Sequence, residues 1–277
     1  MSVIIPARDA GRWLGACLDA VAAQTAAPAH EVIVVDDASV DGTAQLARSH
    51  PAVSRVVSGP GRGSYAARNA AIALATGELL AFTDADCVPD PGWLASGADA
   101  MERGADLAGG EVVSAVAGGP PNPWERYDRA VYLRQDELVR EDHFAATANL
   151  FVRRAVVDDL GGFDSSLKSG GDYEFGRRAT SAGHRLVYVP EASVVHRPRA
   201  SLRETWHLHR RLGAGWAALA RKGARPALFA DAALRISLGS VIDRAASSGD
   251  VIRRREIAHV HAVAMAARWT GRLTGRA

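Results

Sequence analysis

The sequence predicts an α/β fold with a mostly parallel central sheet between helices and a helical C-terminal extension. Three observations carry that expectation. Short β-branched runs alternate with amphipathic segments over residues 3–83. Acidic residues fall where two of those runs end, and from Ser201 onward the pattern is largely helical and basic. Strand–helix alternation needs crossover connections, which lay helices over both faces of a parallel sheet.

Val3–Ile5, stopped by Pro6, reads as a buried strand. Trp13, Leu14, Cys17, Leu18 and Val21 recur at helical spacing, which predicts an amphipathic helix from Gly11 to Gln24. Glu31–Val35 is a second strand ending on Asp36–Asp37, and Asp41 is a candidate cap for a helix through Arg48. Ser54–Val57 reads as a third strand, followed by the glycine-rich loop Gly59–Gly63, expected to be a flexible turn. A helix carrying Ala66–Ala75 leads to a fourth strand, Leu79–Thr83, which runs into Asp84-Ala85-Asp86. Beyond Gly92 the spacing predicts a helix at Pro91–Arg103, a strand at Leu107–Val116 and one helix over Trp124–Arg140. A strand at Ala148–Val152, a helix at Asp172–Ala182 and short strands at Leu186–Val189 and Ser193–His196 follow. The helical tail is broken near Pro226 and Ser247–Gly249.

Composition narrows the function classes. With 48% hydrophobic and 23% charged residues the chain is ordinary globular material, not a disordered polymer. A net charge of +2 across 277 residues gives no nucleic-acid partner. The basic residues do cluster late, at Arg210–Arg211, Arg221–Lys222 and Arg253–Arg255. Such clusters are solvated helix faces or a surface for anionic headgroups or a phosphorylated acceptor. Cys17 and Cys87 are too few for a disulfide framework and read as small buried hydrophobes. No signal peptide is expected before the first strand, and no apolar run in these residues reaches the ~18 of a spanning helix. The expected location is cytoplasmic, with peripheral membrane contact through the basic C-terminal helices left open.

In open α/β sheets ligands bind at the carboxyl ends of strands. Carboxylates gathered there repel unless a cation or hydrogen-bond donors offset the charge. The Asp-x-Asp of Asp84 and Asp86 therefore suggests Mg²⁺ or Mn²⁺ carrying a diphosphate, although turn and cap aspartates give the same local pattern. The combination decides more than the pair. Val-Ile-Ile-Pro, Val-Asp-Asp-Ala-Ser-x-Asp-Gly-Thr, Ala-Arg-Asn and Gly-Glu-x-x-x-Phe-Thr-Asp-Ala-Asp occur in that order. This series resembles the family-2 glycosyltransferases, which have the GT-A fold, and the resemblance covers Ser2 to Arg199.

The resemblance implies a transferase that moves a sugar from a nucleotide-diphospho-sugar to an acceptor hydroxyl, with inversion and with Mn²⁺ or Mg²⁺. It implies that Pro6, Ala7 and Arg8 line the nucleobase pocket, that Asp36 accepts a hydrogen bond from the base and that Arg68 supports the nucleotide. A salt bridge between helix and sheet is the other reading of Arg68. Asp84 falls near the ribose, Asp86 on the metal, and His196 in the segment where many relatives supply a metal-binding histidine. Ser169–Arg178 resembles the acceptor-side helix, in which Asp172 matches the aspartate that deprotonates the acceptor. An alcohol needs a carboxylate beside it as its proton leaves; a helix N-cap is the second reading of Asp172. Gly171 stands where relatives carry glutamate.

His207 and His209 read as surface or loop-packing residues, and Trp206 and Trp216 as packing residues or sugar-stacking faces. The expected division is a catalytic domain over 1–200, split into a nucleotide-binding half at 1–104 and an acceptor half at 105–200, then an extension over 201–277. UDP is the favoured donor nucleotide, with GDP and dTDP open. A polysaccharide, a lipid-linked sugar, a protein or a small molecule fits as acceptor. Two rival functions stand beside transfer. One is a non-catalytic nucleotide-sugar-binding protein, hinted at by Gly171. The other is a sugar-phosphate nucleotidyltransferase, disfavoured because Pro6-Ala7-Arg8 follows the first strand where such enzymes carry a glycine-rich loop.

Overall fold

The computed structural model describes residues 1–116, 118–223, 237–247 and 254–275. They form two compact units. The first comprises Met1–Val113, Arg134–Ser166 and Gly171–His196, and the second Ser114–Leu133, Leu167–Gly170 and Arg197–Ala277.

The first unit is built on one sheet. Its strands are β1 (Ser2–Ala7), β2 (Glu31–Asp36), β3 (Arg55–Ser58), β4 (Leu79–Thr83), β5 (Cys87–Pro89), β6 (Leu107–Ser114), β7 (Asn149–Arg153) and β8 (Leu186–His196). They lie in the order β3-β2-β1-β4-β7-β6-β8-β5. The expected sheet between helices is present, and it is mixed. β1 pairs in parallel with β2 and β4, and β2 with β3, whereas β4–β7, β6–β7 and β5–β8 are antiparallel. Every residue of β1 is buried, as its central place and apolar sequence require. Helix α1 (Leu14–Ala22) buries Leu14, Cys17, Leu18 and Val21, the helical stripe read from the sequence. Around the sheet run α2 (Thr43–Ser49), α3 (Ser64–Ile72) and α4 (Trp93–Glu102). The second unit opens with α5 (Pro123–Val131), and α6 (Gln135–Arg140), α7 (Arg154–Leu160) and α8 (Gly171–Ser181) belong to the first.

Three expectations change. The helix expected over Trp124–Arg140 is two helices, because Tyr132 is extended and Leu133 has φ +52 between them. The two short strands after Leu186 are one, β8, which runs through exposed Pro190. Pro190 lies outside the β5 pairing, which covers only Val194–His196, so no N–H is required of it on that side. Finally, β5 and α7 were not anticipated, being too short for a periodic signal.

The second unit is helical: α5, α9 (Leu202–Arg221), α10 (Leu238–Ser247) and α11 (Arg254–Thr274). Asn122 opens α5 with a capping box, its side chain accepting from Trp124 and Glu125 amides while Glu125 reaches back to the Asn122 N–H. Tyr127, Ala130, Val241, Ala245, Ile257, Val260 and Ala264 form its core. His209 is 1% exposed, so the expectation of a surface position is wrong for it; it faces the α9–α11 contact while His207, two residues earlier, faces solvent. Of the break expected at Ser247–Gly249, Ser247 ends α10; the rest of it, the break at Pro226 and Arg253 of the last basic cluster lie outside the described residues. Among the described residues no helix is long and apolar enough to cross a membrane.

Candidate active site

Parallel pairing brings the ends of β1, β2 and β4 to one edge of the sheet. Ala7 stands opposite Asp36, and Ile4 opposite Phe82. The residues at and just past those ends are Arg8, Asp36, Asp84 and Asp86, so motifs far apart in sequence share one rim. Pro6 and Ala7 are buried within β1, and Arg8 is the exposed member of that trio. The loops after β1 and β2 are stitched together: the Asp9 N–H donates to Ser39 Oγ at 3.0 Å and the Val40 N–H to Asp9 Oδ1 at 2.8 Å.

The adjacent aspartates of β2 divide their work. Asp36 stays half-buried, and its Oδ1 takes a long bond from the Ser39 N–H at 3.4 Å. Asp37 is 2% exposed and accepts from the Gly61 and Gly63 amides at 2.7 and 2.8 Å. The glycine loop is therefore anchored on a buried carboxylate, which corrects the expectation of a flexible turn. Asp41 is not itself the N-cap of α2, yet its carboxylate takes the Thr43 N–H at 2.9 Å and the Gly11 N–H at 3.0 Å.

Arg68 sits on α3 with only 2% exposure and donates through Nη2 to Asp84 Oδ1. A buried guanidinium without a partner would be costly, and Asp84 supplies the opposite charge. The helix-to-sheet salt bridge is thus formed. Arg68 Nε is buried with no hydrogen-bond partner among the described residues.

Asp86, next along the rim, is partly exposed, and its Oδ2 lies 3.7 Å from Nε2 of the almost buried His196. The pairing of β5 with β8 causes this, because Cys87 stands opposite His196. Cys17 and Cys87 lie buried beside the acidic pair, and burial first, then the Asp84 and Asp86 charges, hold both thiols well above their usual range.

Asp172 reaches the same region from α8. Its Oδ1 accepts the Tyr65 hydroxyl and the Tyr173 N–H, each at 3.0 Å. Asp172 lies inside the first turn of α8, so it is not the N-cap, though a negative charge there suits the helix dipole. Burial raises its carboxyl above the ordinary aspartate range; the bonds from Tyr173 and Tyr65 and the Arg68 charge oppose that rise and only reduce it. Tyr65 is one turn from Arg68 on α3, so it links Asp172 to the Arg68–Asp84 pair. Its ring stacks on Phe163 at 5.8 Å, and Phe163 is clamped by Asn69, which accepts its N–H at 2.9 Å and donates to its carbonyl at 2.7 Å. A Cβ on Gly171 would come within 2.8 Å of the Tyr65 ring. The ring occupies the space in which a side chain at 171 would begin.

The donor set suits a hard divalent cation that takes part of its coordination from elsewhere. Asp86 offers a partly exposed carboxylate and His196 an imidazole nitrogen beside it. Among the described residues no group of three or more His, Cys, Asp or Glu is arranged to hold a metal. Mg²⁺-type sites are commonly completed by substrate phosphates and water, so two protein ligands fit that pattern. Tyr65, Asn69, Phe163 and Asp37 are the residues that sequence reading did not assign to the site. The one available signal was the three-residue step from Tyr65 to Arg68 on a helix.

Comparison with known proteins places these motifs in context. The model of glycosyl transferase family 2 matches residues 2–161. The chain is 38% identical over 205 residues to glycosyltransferase AglE of Haloferax volcanii, covering 72% of this chain and 67% of that protein. It is 31% identical over 214 residues to the pre-mycofactocin glycosyltransferase of Mycobacterium tuberculosis, covering 74% of this chain but 44% of that protein. Among solved structures, it resembles a mannosyltransferase of Pyrobaculum calidifontis in complex with GDP-Man and Mn²⁺ (TM-score 0.60, 22% identity, 99% of this chain and 84% of that one). It also resembles S. aureus TarS 1-349 in complex with UDP-GlcNAc (TM-score 0.58, 19% identity, 99% and 90%). At these identities the structural likeness speaks for the fold, which is of the GT-A type.

Proposed function

The chain belongs to glycosyl transferase family 2 and is a glycosyltransferase, and from that premise we propose an inverting, metal-dependent transfer from a nucleoside-diphosphate sugar to an acceptor hydroxyl. One observation carries the assignment of roles: Asp172, Tyr65, Arg68 and Asp84 form a continuous chain of side chains at the sheet edge, although they come from three distant segments.

In this reading Pro6, Ala7 and Arg8 border the nucleobase, with Asp36 accepting a hydrogen bond from it. Arg68 holds the nucleotide side of the site, and Asp84, fixed by Arg68, lies towards the ribose. Asp86 and His196 hold Mn²⁺ or Mg²⁺. The bound ion supplies positive charge against the diphosphate as it leaves. Asp172 takes the acceptor proton. The acceptor oxygen forms its bond to the anomeric carbon while the bond from that carbon to the diphosphate oxygen breaks, and the nucleoside diphosphate departs with the electron pair. Residues 1–200 carry this chemistry, with nucleotide binding in 1–104 and acceptor binding in 105–200, and residues 201–277 extend it. UDP is the favoured nucleotide. A lipid-linked acceptor would suit peripheral membrane contact through the basic C-terminal helices.

Calorimetric titration of UDP, GDP and dTDP, first with Mn²⁺ and then with EDTA, tests the proposal. The expected result is binding of one nucleotide that weakens when the metal is removed. No binding of any of the three with metal present would overturn it.

The geometry also sets a pH dependence. Burial holds the Asp172 carboxyl above its ordinary value, so its ionised fraction, and the rate, should fall on the acid side from a higher pH than an exposed aspartate would give. The Tyr65 hydroxyl favours the ionised form. Tyr65→Phe should therefore move the acid limb of kcat/KM for donor hydrolysis further up in pH and leave nucleotide affinity near wild type. An unmoved limb would separate Tyr65 from the base.

A further inference from the structure

We propose that the helical unit contains a second ligand site, which takes an oxyanion of phosphate chemistry against Arg268. Arg268 lies on α11 and is 7% exposed. Its Nε–H donates to Nδ1 of His209, on α9, at 2.7 Å. Accepting that bond requires the Nδ1 lone pair, so the proton of a neutral His209 stands on Nε2. His209 is neutral, because burial and then the Arg268 charge hold it well below the usual imidazole range. Nε2 of His209 and Nη1 of Arg268 are both buried without a hydrogen-bond partner among the described residues. Every unmet group in this pair is therefore a donor.

The charge is unmet as well. Burial lowers the Arg268 pKa only to about 10, so the guanidinium is cationic at neutral pH. Among the described residues no carboxylate pairs with it. Asp128, on the neighbouring α5, is held by Arg199 at 3.3 Å. Rings flank this pair: Trp216, whose ring centroid is 4.9 Å from the guanidinium carbon, and Tyr127, whose ring packs 5.9 Å from His209 and from His261. The helices are pressed together here. A Cβ on Gly213 would collide with the Arg268 carbonyl oxygen, and one on Gly271 with that of Arg210. Backbone contact this close fixes the root of the Arg268 side chain. A buried cation whose Nη1 donor is unmet, and which has no carboxylate partner among the described residues, calls for a partner that accepts hydrogen bonds and carries negative charge. Water meets the first requirement only; a phosphate-type oxyanion meets both.

The test is calorimetric titration of inorganic phosphate and pyrophosphate into the full chain, in EDTA, at ionic strength matched with chloride. It is repeated with UDP present, so that the sheet-edge site does not contribute. One saturable site, insensitive to UDP, is expected. Arg268→Met should weaken it by about 10-fold or more, the loss that follows removal of a charged hydrogen-bonding partner. Arg268→Lys, which keeps the charge and loses the fork, should weaken it less, and it keeps the test usable if the methionine variant does not fold. Phosphate binding no better than chloride, or unchanged in both variants, would overturn the site. Phosphatidylcholine vesicles with and without phosphatidic acid then distinguish the sources. Binding that needs phosphatidic acid and Arg268 and is competed by phosphate assigns a lipid headgroup. Absence of vesicle binding alongside retained phosphate binding assigns a free phosphate compound.

Discussion

Asp172→Asn should lower turnover by about 10²–10⁴-fold, the usual contribution of a positioned general base, while nucleotide affinity stays within about 2-fold, below one hydrogen bond's worth. The substitution is nearly isosteric. It keeps an oxygen to accept the Tyr65 hydroxyl and the Tyr173 N–H, so α8 and the Tyr65–Arg68 connection should survive. What it removes is the capacity to accept a proton. Stability should move the other way. The folded-state pKa of Asp172 is raised, so ionisation of this group costs folding free energy as pH rises through that value. The neutral amide escapes that cost, and the variant should melt at or above the wild-type temperature at neutral pH. Donor hydrolysis, nucleotide titration and thermal melting on one preparation check all three. Loss of nucleotide binding as large as the loss of turnover would place Asp172 in the donor site instead.

Much of this arrangement was legible because strand ends are local facts. Apolar runs stop at Asp36 and at Asp84, and the parallel pairing of β2 and β4 with β1 between them brings those ends to one rim. Asp172 was legible through its motif. Tyr65 was not, because its bond to Asp172 spans 107 residues and no local pattern encodes it. Asp36 and Asp37 show a second kind of limit. Neighbouring residues at a strand end point to opposite sides, yet identical side chains do not say which one holds the glycine loop. Gly171 shows a third. Sequence marks the missing glutamate as a departure, and only the packing shows that the Tyr65 ring takes the room a side chain would need. With Asp172 as the proposed base, the departure goes with support from the Tyr65 hydroxyl instead of a side chain at 171. The division of Trp124–Arg140 and the burial of His209 escaped for a related reason. Apolar periodicity continues across Leu133, and His209 is buried by a helix that begins 45 residues later, at Arg254.

Asp86→Ala should remove the metal-dependent part of nucleotide binding, a loss of at least ~10-fold, since even outer-sphere partners of metal ligands cost that much. Among the described residues no group of three or more His, Cys, Asp or Glu is arranged to hold a metal, so each ligand counts. His196 is the residue beside Asp86, and an imidazole alone holds Mg²⁺ or Mn²⁺ poorly, because these ions favour carboxylate, carbonyl and water oxygens. Asp84 is no ready substitute, since its carboxylate already takes the Arg68 guanidinium and is the countercharge to that buried group on α3. The affinity of the variant with Mn²⁺ should therefore fall to that of wild type in EDTA. Residual affinity should remain, carried by the nucleobase and Arg68 contacts, which need no ion. Metal-dependent binding that persists in Asp86→Ala would move the cation to Asp84 and require Arg68 to let go of it when the donor arrives.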